Sequence, residues 1–184
     1  MKQKIATNLA FAKNLLVTGA FKETSRQVEI DICSHIPTGD NKIIVEFGIG
    51  HGNITREILR TMSETSTLYA FEVNKNFCNY VNETIQDKRL CIINDGAQNI
   101  KKHLNVNIDA VISSIPFSFF SKEKGLGILQ DTYNLMNSDS YFSQVLYTKY
   151  NFKKFQQIFE ECSINSHKKT ITEYIFHCKK KNKA

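Results

Sequence analysis

No apolar run in this 184-residue sequence approaches the roughly 20 residues of a membrane-spanning helix, so a transmembrane segment is not expected. A secretory leader is not expected either. The stretch Met1 to Leu16 carries Lys2, Lys4 and Lys13, and Thr7 and Asn8 interrupt its apolar residues, so export is not expected. Cys33, Cys78, Cys91, Cys162 and Cys178 are scattered, with no CxxC or Cys/His spacing to support a metal cluster or a disulfide framework. Reduced core thiols in a cytoplasm, and no metal, are the expectation. The chain also lacks internal repeats, low-complexity stretches and Pro/Gly-rich linkers. A single domain with one active site follows from that and from the length.

What is present is globular in balance, with 41% hydrophobic and 23% charged residues. The net charge of +6 suits an anionic partner, either nucleic acid or an acidic membrane surface, and charge alone does not choose between them. Short apolar runs at 42–47, 67–73, 89–94, 108–113 and 141–147 alternate with polar or amphipathic segments, the pattern of crossover units building a parallel sheet covered on both faces. A helix is predicted over 152–161, and a last strand over 170–178 as part of a late hairpin. The fold class is therefore α/β.

The strongest local signal is Ile43-Ile44-Val45-Glu46-Phe47-Gly48-Ile49-Gly50-His51-Gly52-Asn53, a buried strand entering a glycine-rich turn and then an amphipathic helix. Glycines let the backbone turn sharply and let a ligand approach without meeting a Cβ. The spacing is GxGxG, unlike the GxGxxG of pyrophosphate-binding dehydrogenases, and Glu46 before it would repel a pyrophosphate. That carboxylate suits instead the cationic amine of a methionine moiety, directly or through water. At the end of the second strand Glu72 can accept both hydroxyls of a ribose. After the third, Asp95, with Gly96 and Ala97 following, offers an acid and adjacent amides to an adenine. His51 reads as a solvated turn residue.

Together these residues resemble the ordered cofactor motifs of class I S-adenosylmethionine methyltransferases over about Lys42 to Tyr147. The resemblance implies a Rossmann-like domain with a mixed, mostly parallel seven-stranded sheet and S-adenosyl-L-methionine as cofactor. Its contacts are then Gly19, Glu46, Gly48, Ile49, Gly50, Gly52, Glu72, Val73, Asp95, Gly96, Ala97 and Ser113. After the fourth strand, Ser113-Ser114-Ile115-Pro116-Phe117 stands where adenine and glutamine N-methyltransferases carry Asn/Asp-Pro-Pro-Tyr/Phe, with serine in place of the amide or acid. The loop is closer to that of the bacterial phospholipid N-methyltransferase family. Two further stretches, Val17-Thr18-Gly19-Ala20-Phe21-Lys22-Glu23-Thr24-Ser25-Arg26 and the fifth-strand end Gln144-Val145-Leu146-Tyr147, are also similar to that family. The sequence departs from it at Ser138-Asp139-Ser140, where a glycine is usual, and at Lys169 to Glu173, where Asn-Pro-Pro is usual. The rRNA adenine dimethyltransferases are a more distant resemblance.

What these resemblances imply is an N-methyltransferase acting on a phosphatidylethanolamine-like headgroup at the membrane surface, with RNA or protein as the alternative acceptor. Tyr147, Phe117 and Ser113 are the expected catalytic group, the aromatics orienting the amine. Residues 1–26 are read as an amphipathic helix and lead-in segment, and 27–184 as the methyltransferase domain. If Met1 to Leu16 is one helix, Ile5, Leu9, Ala12 and Leu16 line one stripe, with Lys2, Lys4 and Lys13 beside it and no acid. Such a helix either caps the cofactor site or binds an anionic membrane surface from the cytoplasmic side.

Overall fold

The computed structural model describes residues 24–168 and 172–181. The predicted Met1–Leu16 helix, Gly19 and most of the lead-in segment lie outside them. The strands are β1 (Ile43–Phe47), β2 (Thr67–Phe71), β3 (Leu90–Ile93), β4 (Ile108–Ser113), β5 (Met136–Leu146), β6 (Glu161–His167) and β7 (Glu173–Lys179). They form one seven-stranded sheet in the order β3-β2-β1-β4-β5-β7-β6. Strands β1 to β5 run parallel, and β7 enters antiparallel between β5 and β6. This is a single Rossmann-like methyltransferase fold, with a mixed, mostly parallel sheet.

The parallel strands are apolar on both faces because helices cover both. On one face Val45, Phe47, Phe71, Val111 and Phe142 pack with Phe117 and with Ile128 and Leu129 of α5 (Lys122–Leu135). On the other, Ile44, Leu68, Ala70, Ala110 and Ile112 meet α1 (Arg26–Ile32), α2 (Asn53–Thr61) and α3 (Lys75–Thr84). Between β3 and β4 lies the short α4 (Ile100–His103). Side chains alternate between the two faces along a strand, so Phe47 and Glu46 point to opposite layers.

The predicted helix over 152–161 is shorter than expected. Helix α6 (Phe152–Gln156) ends where the Phe159 amide bonds back to Phe155 O, and Glu161 already pairs in β6 opposite Lys179. Strand β5 begins earlier than the apolar run, because Asp139 takes φ 63° and lets the chain bend within one strand. That left-handed residue sits where the resembled family has glycine. Its cost is offset locally: the Asp139 amide donates to Lys180 O at 2.6 Å and its carboxylate lies 2.8 Å from Lys179 Nζ.

Helix α1 is tied to the far edge of the sheet through Asp31. Its oxygens accept from Asn165 Nδ2 at 3.0 Å and lie 2.6 Å from His167 Nε2 and 3.2 Å from His177 Nε2. Burial works to raise the Asp31 pKa, and the hydrogen bonds from His167, Asn165 and His177 outweigh it, leaving the carboxyl below its ordinary value. Among the described residues no helix is long and apolar enough to cross a membrane.

Candidate cofactor and acceptor cleft

Register brings the site together. Phe47, the last residue of β1, stands opposite Phe71 of β2 and Ser113 of β4, so the glycine turn, Glu72 and the Ser114 loop leave the sheet at one edge. A cleft of about 390 Å³ opens there, at the carboxyl ends of the parallel strands where ligands of such sheets bind.

The turn is built by left-handed glycines, with φ of 86° at Gly48, 52° at Gly50 and 80° at Gly52. A Cβ at Gly48 would stand 3.0 Å from Ser114 Oγ, whereas one at Gly50 would meet nothing within 4 Å. Gly48 is thus a close approach between two loops, and Gly50 leaves open space beside the cleft. Ser114 Oγ donates to Gly48 O at 2.8 Å and fastens the acceptor-side loop to the glycine turn.

Glu72 braces the same turn. Its Oε2 accepts from the Gly50 amide at 3.2 Å and its Oε1 from the Asn74 amide at 2.8 Å. Each oxygen retains lone-pair capacity for a hydroxyl. Asp95 accepts from the Gly96 amide at 2.7 Å and Asn99 Nδ2 at 2.8 Å, and its other oxygen lies 2.8 Å from His103 Nε2. Those bonds, the His103 one foremost, hold its carboxyl down to about 2.

Of the residues expected to meet cofactor, Gly48, Ile49, Gly50, Glu72, Val73, Asp95, Gly96 and Ala97 line this cleft, and Tyr147, expected in the catalytic group, lines it too. Four expected residues are not in its wall. Glu46 lies on the opposite layer of β1, 1% exposed, where Oε2 accepts from Thr55 Oγ1 at 2.8 Å and Oε1 has no partner among the described residues. Direct contact with a ligand in the cleft is closed to it, and its burial raises its carboxyl to about 8. Gly52 caps α2 beneath the turn. Ser113 is fully buried at the end of β4.

Phe117, the expected stacking ring, is also fully buried. The 3-10 turn Phe117–Phe119 carries it inward, 5.1 Å from the Phe155 ring and 5.7 Å from Phe120. Phe120 takes its place in the cleft wall, with Ile115, Pro116, Val145 and Lys124. His51, expected as a solvated turn residue, is exposed and also lines the cleft, its ring edge-on to Phe77 at 4.8 Å.

The acceptor-side loop is held from behind by two buried amides that the sequence did not single out for this task. Gln144 Nε2 donates to Ile115 O at 3.0 Å and to Val145 O at 2.8 Å. Asn151 Nδ2 donates to Ser118 Oγ at 3.0 Å. Both side-chain carbonyls are buried without a hydrogen-bond partner among the described residues.

No protein-family model matches the sequence, and no curated protein is recognisably similar to it. Similar solved structures are numerous. An rRNA methylase from Streptococcus thermophilus aligns at TM-score 0.68 and 15% identity, over 89% of this chain and 100% of that one. A precorrin-6y C5,15-methyltransferase from Geobacter metallireducens gives 0.69 and 14%, over 88% and 92%. The N-methyltransferase NodS of Bradyrhizobium japonicum, solved with S-adenosyl-L-homocysteine, gives 0.71 and 6%, over 85% and 87%. At such identities the likeness is one of fold.

Proposed function

We propose that this chain is an S-adenosylmethionine-dependent methyltransferase whose acceptor is the amine headgroup of a phospholipid. The observation that carries the first half is the Glu72 brace. A carboxylate at the end of β2 supports the open Gly50 turn and faces the same cleft as Asp95, so ribose, adenine and methionine parts of one ligand have adjoining partners. The open space at Gly50 fits the group as well. Bound there, S-adenosylmethionine supplies an electrophilic methyl on a sulfonium. The protein's own work is then to bind, align and keep water away, since no nucleophilic side chain is needed.

Beyond Ser114 the cleft wall turns apolar, with Ile115, Pro116, Phe120 and Val145, and Tyr147 at its margin. An amine must be neutral to attack, and a low-polarity wall favours its neutral form, while aromatic faces suit the cation that follows. The lipid reading also draws on the Ser-x-x-Pro-Phe loop and the Gln144 to Tyr147 strand end, and on the basic charge of +6. The Met1–Leu16 segment, which lies outside the described residues, is proposed as the membrane-surface element.

RNA is the second reading. The same positive charge and the structural likeness to an rRNA methylase favour it. Incubating the protein with methyl-labelled S-adenosylmethionine and separate lipid, RNA and protein fractions tests both readings. Label in the lipid fraction supports the proposal, and label confined to RNA replaces it.

A further inference from the structure

We infer that Lys124 reads a phosphodiester attached close to the acceptor's amine, so that the cleft selects a zwitterionic phosphate-amine headgroup over a simple amine. The inference rests on the methyltransferase reading above and specifies the substrate of that same site. Its basis is the distribution of charge along the cleft. The lining carboxylates, Glu72 and Asp95, belong to the cofactor end. At the acceptor end the wall is Ile115, Pro116, Phe120 and Val145, and the charged side chain among them is Lys124.

Among the described residues Lys124 is the lysine that lines the cleft. Lys42, Lys101, Lys179 and Lys181 each lie within 3.6 Å of an aspartate or glutamate, whereas Lys124 forms no ion pair with a described carboxylate. Its Nζ stands 5.1 Å from the Phe120 ring centroid, an arrangement that draws the ammonium toward the cleft wall. It also occupies the first turn of α5, after the Ser121 cap, where the helix dipole disfavours a cation. Helix stability therefore does not account for a lysine at this position.

The chemistry of the acceptor supplies an account. A free lysine beside a methyl-accepting amine repels its ammonium form, which lowers that amine's pKa but also weakens binding. An anion on the same molecule reverses that loss of binding. Phosphate oxygens accept from a lysine ammonium as strong charge-assisted bonds, and a headgroup with a two-carbon spacer carries phosphate and amine within a single small cleft. The apolar wall then meets the spacer.

The test is calorimetric titration of the protein saturated with S-adenosyl-L-homocysteine. The probes are glycerophosphoethanolamine, ethanolamine, inorganic phosphate and a short single-stranded oligoribonucleotide, against wild type and Lys124→Gln. The expected result is that glycerophosphoethanolamine binds wild type at least tenfold more tightly than Lys124→Gln, that ethanolamine and inorganic phosphate bind wild type at least tenfold more weakly, and that Lys124→Arg restores most of the affinity. Equal affinity of glycerophosphoethanolamine for wild type and Lys124→Gln, or no binding to either, overturns the assignment. Phosphate binding as well as the diester overturns the paired recognition of amine and phosphate. Tight Lys124-dependent binding of the oligoribonucleotide alone overturns the lipid headgroup in favour of RNA. Affinity for S-adenosyl-L-homocysteine itself is unchanged in Lys124→Gln, and its failure to bind wild type sinks the cofactor reading instead.

Discussion

Glu72 Oε2 accepts the Gly50 amide at 3.2 Å, so the acid at the end of β2 both faces the cleft and sets the conformation of the glycine turn that borders it. Removing that carboxylate loosens the turn and, on the proposed reading, costs a ligand contact as well. Glu72→Ala is expected to weaken S-adenosylmethionine binding by roughly 1 to 3 kcal/mol, the range for leaving buried polar partners unpaired. Isothermal calorimetry on wild type and variant checks this, and equal affinities would remove Glu72 from the site.

The three glycines of the turn respond differently to a side chain. Gly50→Val keeps the fold, because a Cβ there meets nothing within 4 Å, yet it abolishes binding by strain at φ 52° and by filling the open space. Gly52→Ala behaves in the opposite way, since its Cβ would stand 2.9 Å from Ile85 Cδ1 at φ 80°, so it loses stability first, by about 1 to 3 kcal/mol. Circular dichroism melts paired with ligand titrations separate the two outcomes.

Glu46 makes stability depend on pH in a direction unusual for a carboxylate. Its folded pKa is raised from 4.5 to about 8, so the folded state keeps a proton that the unfolded chain releases above 4.5. Its contribution therefore worsens as pH rises from about 4.5 to about 8 and is constant outside that window. Glu46→Gln is expected to raise the melting temperature of the ligand-free protein by several degrees at pH 8 and by little at pH 4.5. An equal shift at both values would mean that the carboxyl is ionised in the fold.

The order of motifs was legible because strand-end chemistry is local. Gly48, Gly50, Glu72 and Asp95 each sit at the end of an apolar run, and a parallel sheet gathers such ends at one edge. Which way a loop residue faces is not local. Phe117 turned inward because the 3-10 turn and the Phe155 ring decide its direction, and Phe155 is distant in sequence. Glu46 could be placed on β1 but not behind the turn, since its partner Thr55 lies on a helix whose docking depends on the whole sheet. The share of work done by Gln144 was likewise hidden, because an amide bonding a carbonyl 29 residues away leaves no periodic trace.

Gln144→Leu tests that support. The substitution keeps the volume and strips the donors from Ile115 O and Val145 O, while removing an unpartnered Oε1, so the net stability loss is expected to be about 1 to 2 kcal/mol. Cofactor affinity is expected to stay within about twofold, roughly 0.4 kcal/mol, and acceptor KM to rise several-fold. A lowered cofactor affinity with unchanged acceptor KM would assign Gln144 to the wrong half of the cleft.

Acid is expected to loosen the α1 anchor. Burial lowers the His177 and His35 pKa values, so as pH falls through 6.5 the unfolded chain takes up protons more readily than the fold does. Their contribution is thus lost below 6.5, and that of Asp31, whose pKa is lowered from 3.8, is lost below about that value. In a Glu46→Gln background, which removes the opposing slope, the melting temperature is expected to fall between pH 7 and pH 5. Adding His177→Asn should flatten that fall, and a slope unaltered by the substitution would place the titration elsewhere.

The position of β7 has a consequence for synthesis. Every strand that contributes to the cleft, β1 to β5, leaves the ribosome before Glu173 to Lys179, yet those residues form the neighbour of β5 on its outer side. Until they emerge, an eleven-residue strand, Met136–Leu146, presents an unpaired edge, and β6 has nothing to pair with. The nascent chain therefore has its cleft-lining motifs complete while its sheet still has an adhesive border, and the antiparallel insertion of β7 is the event that closes it.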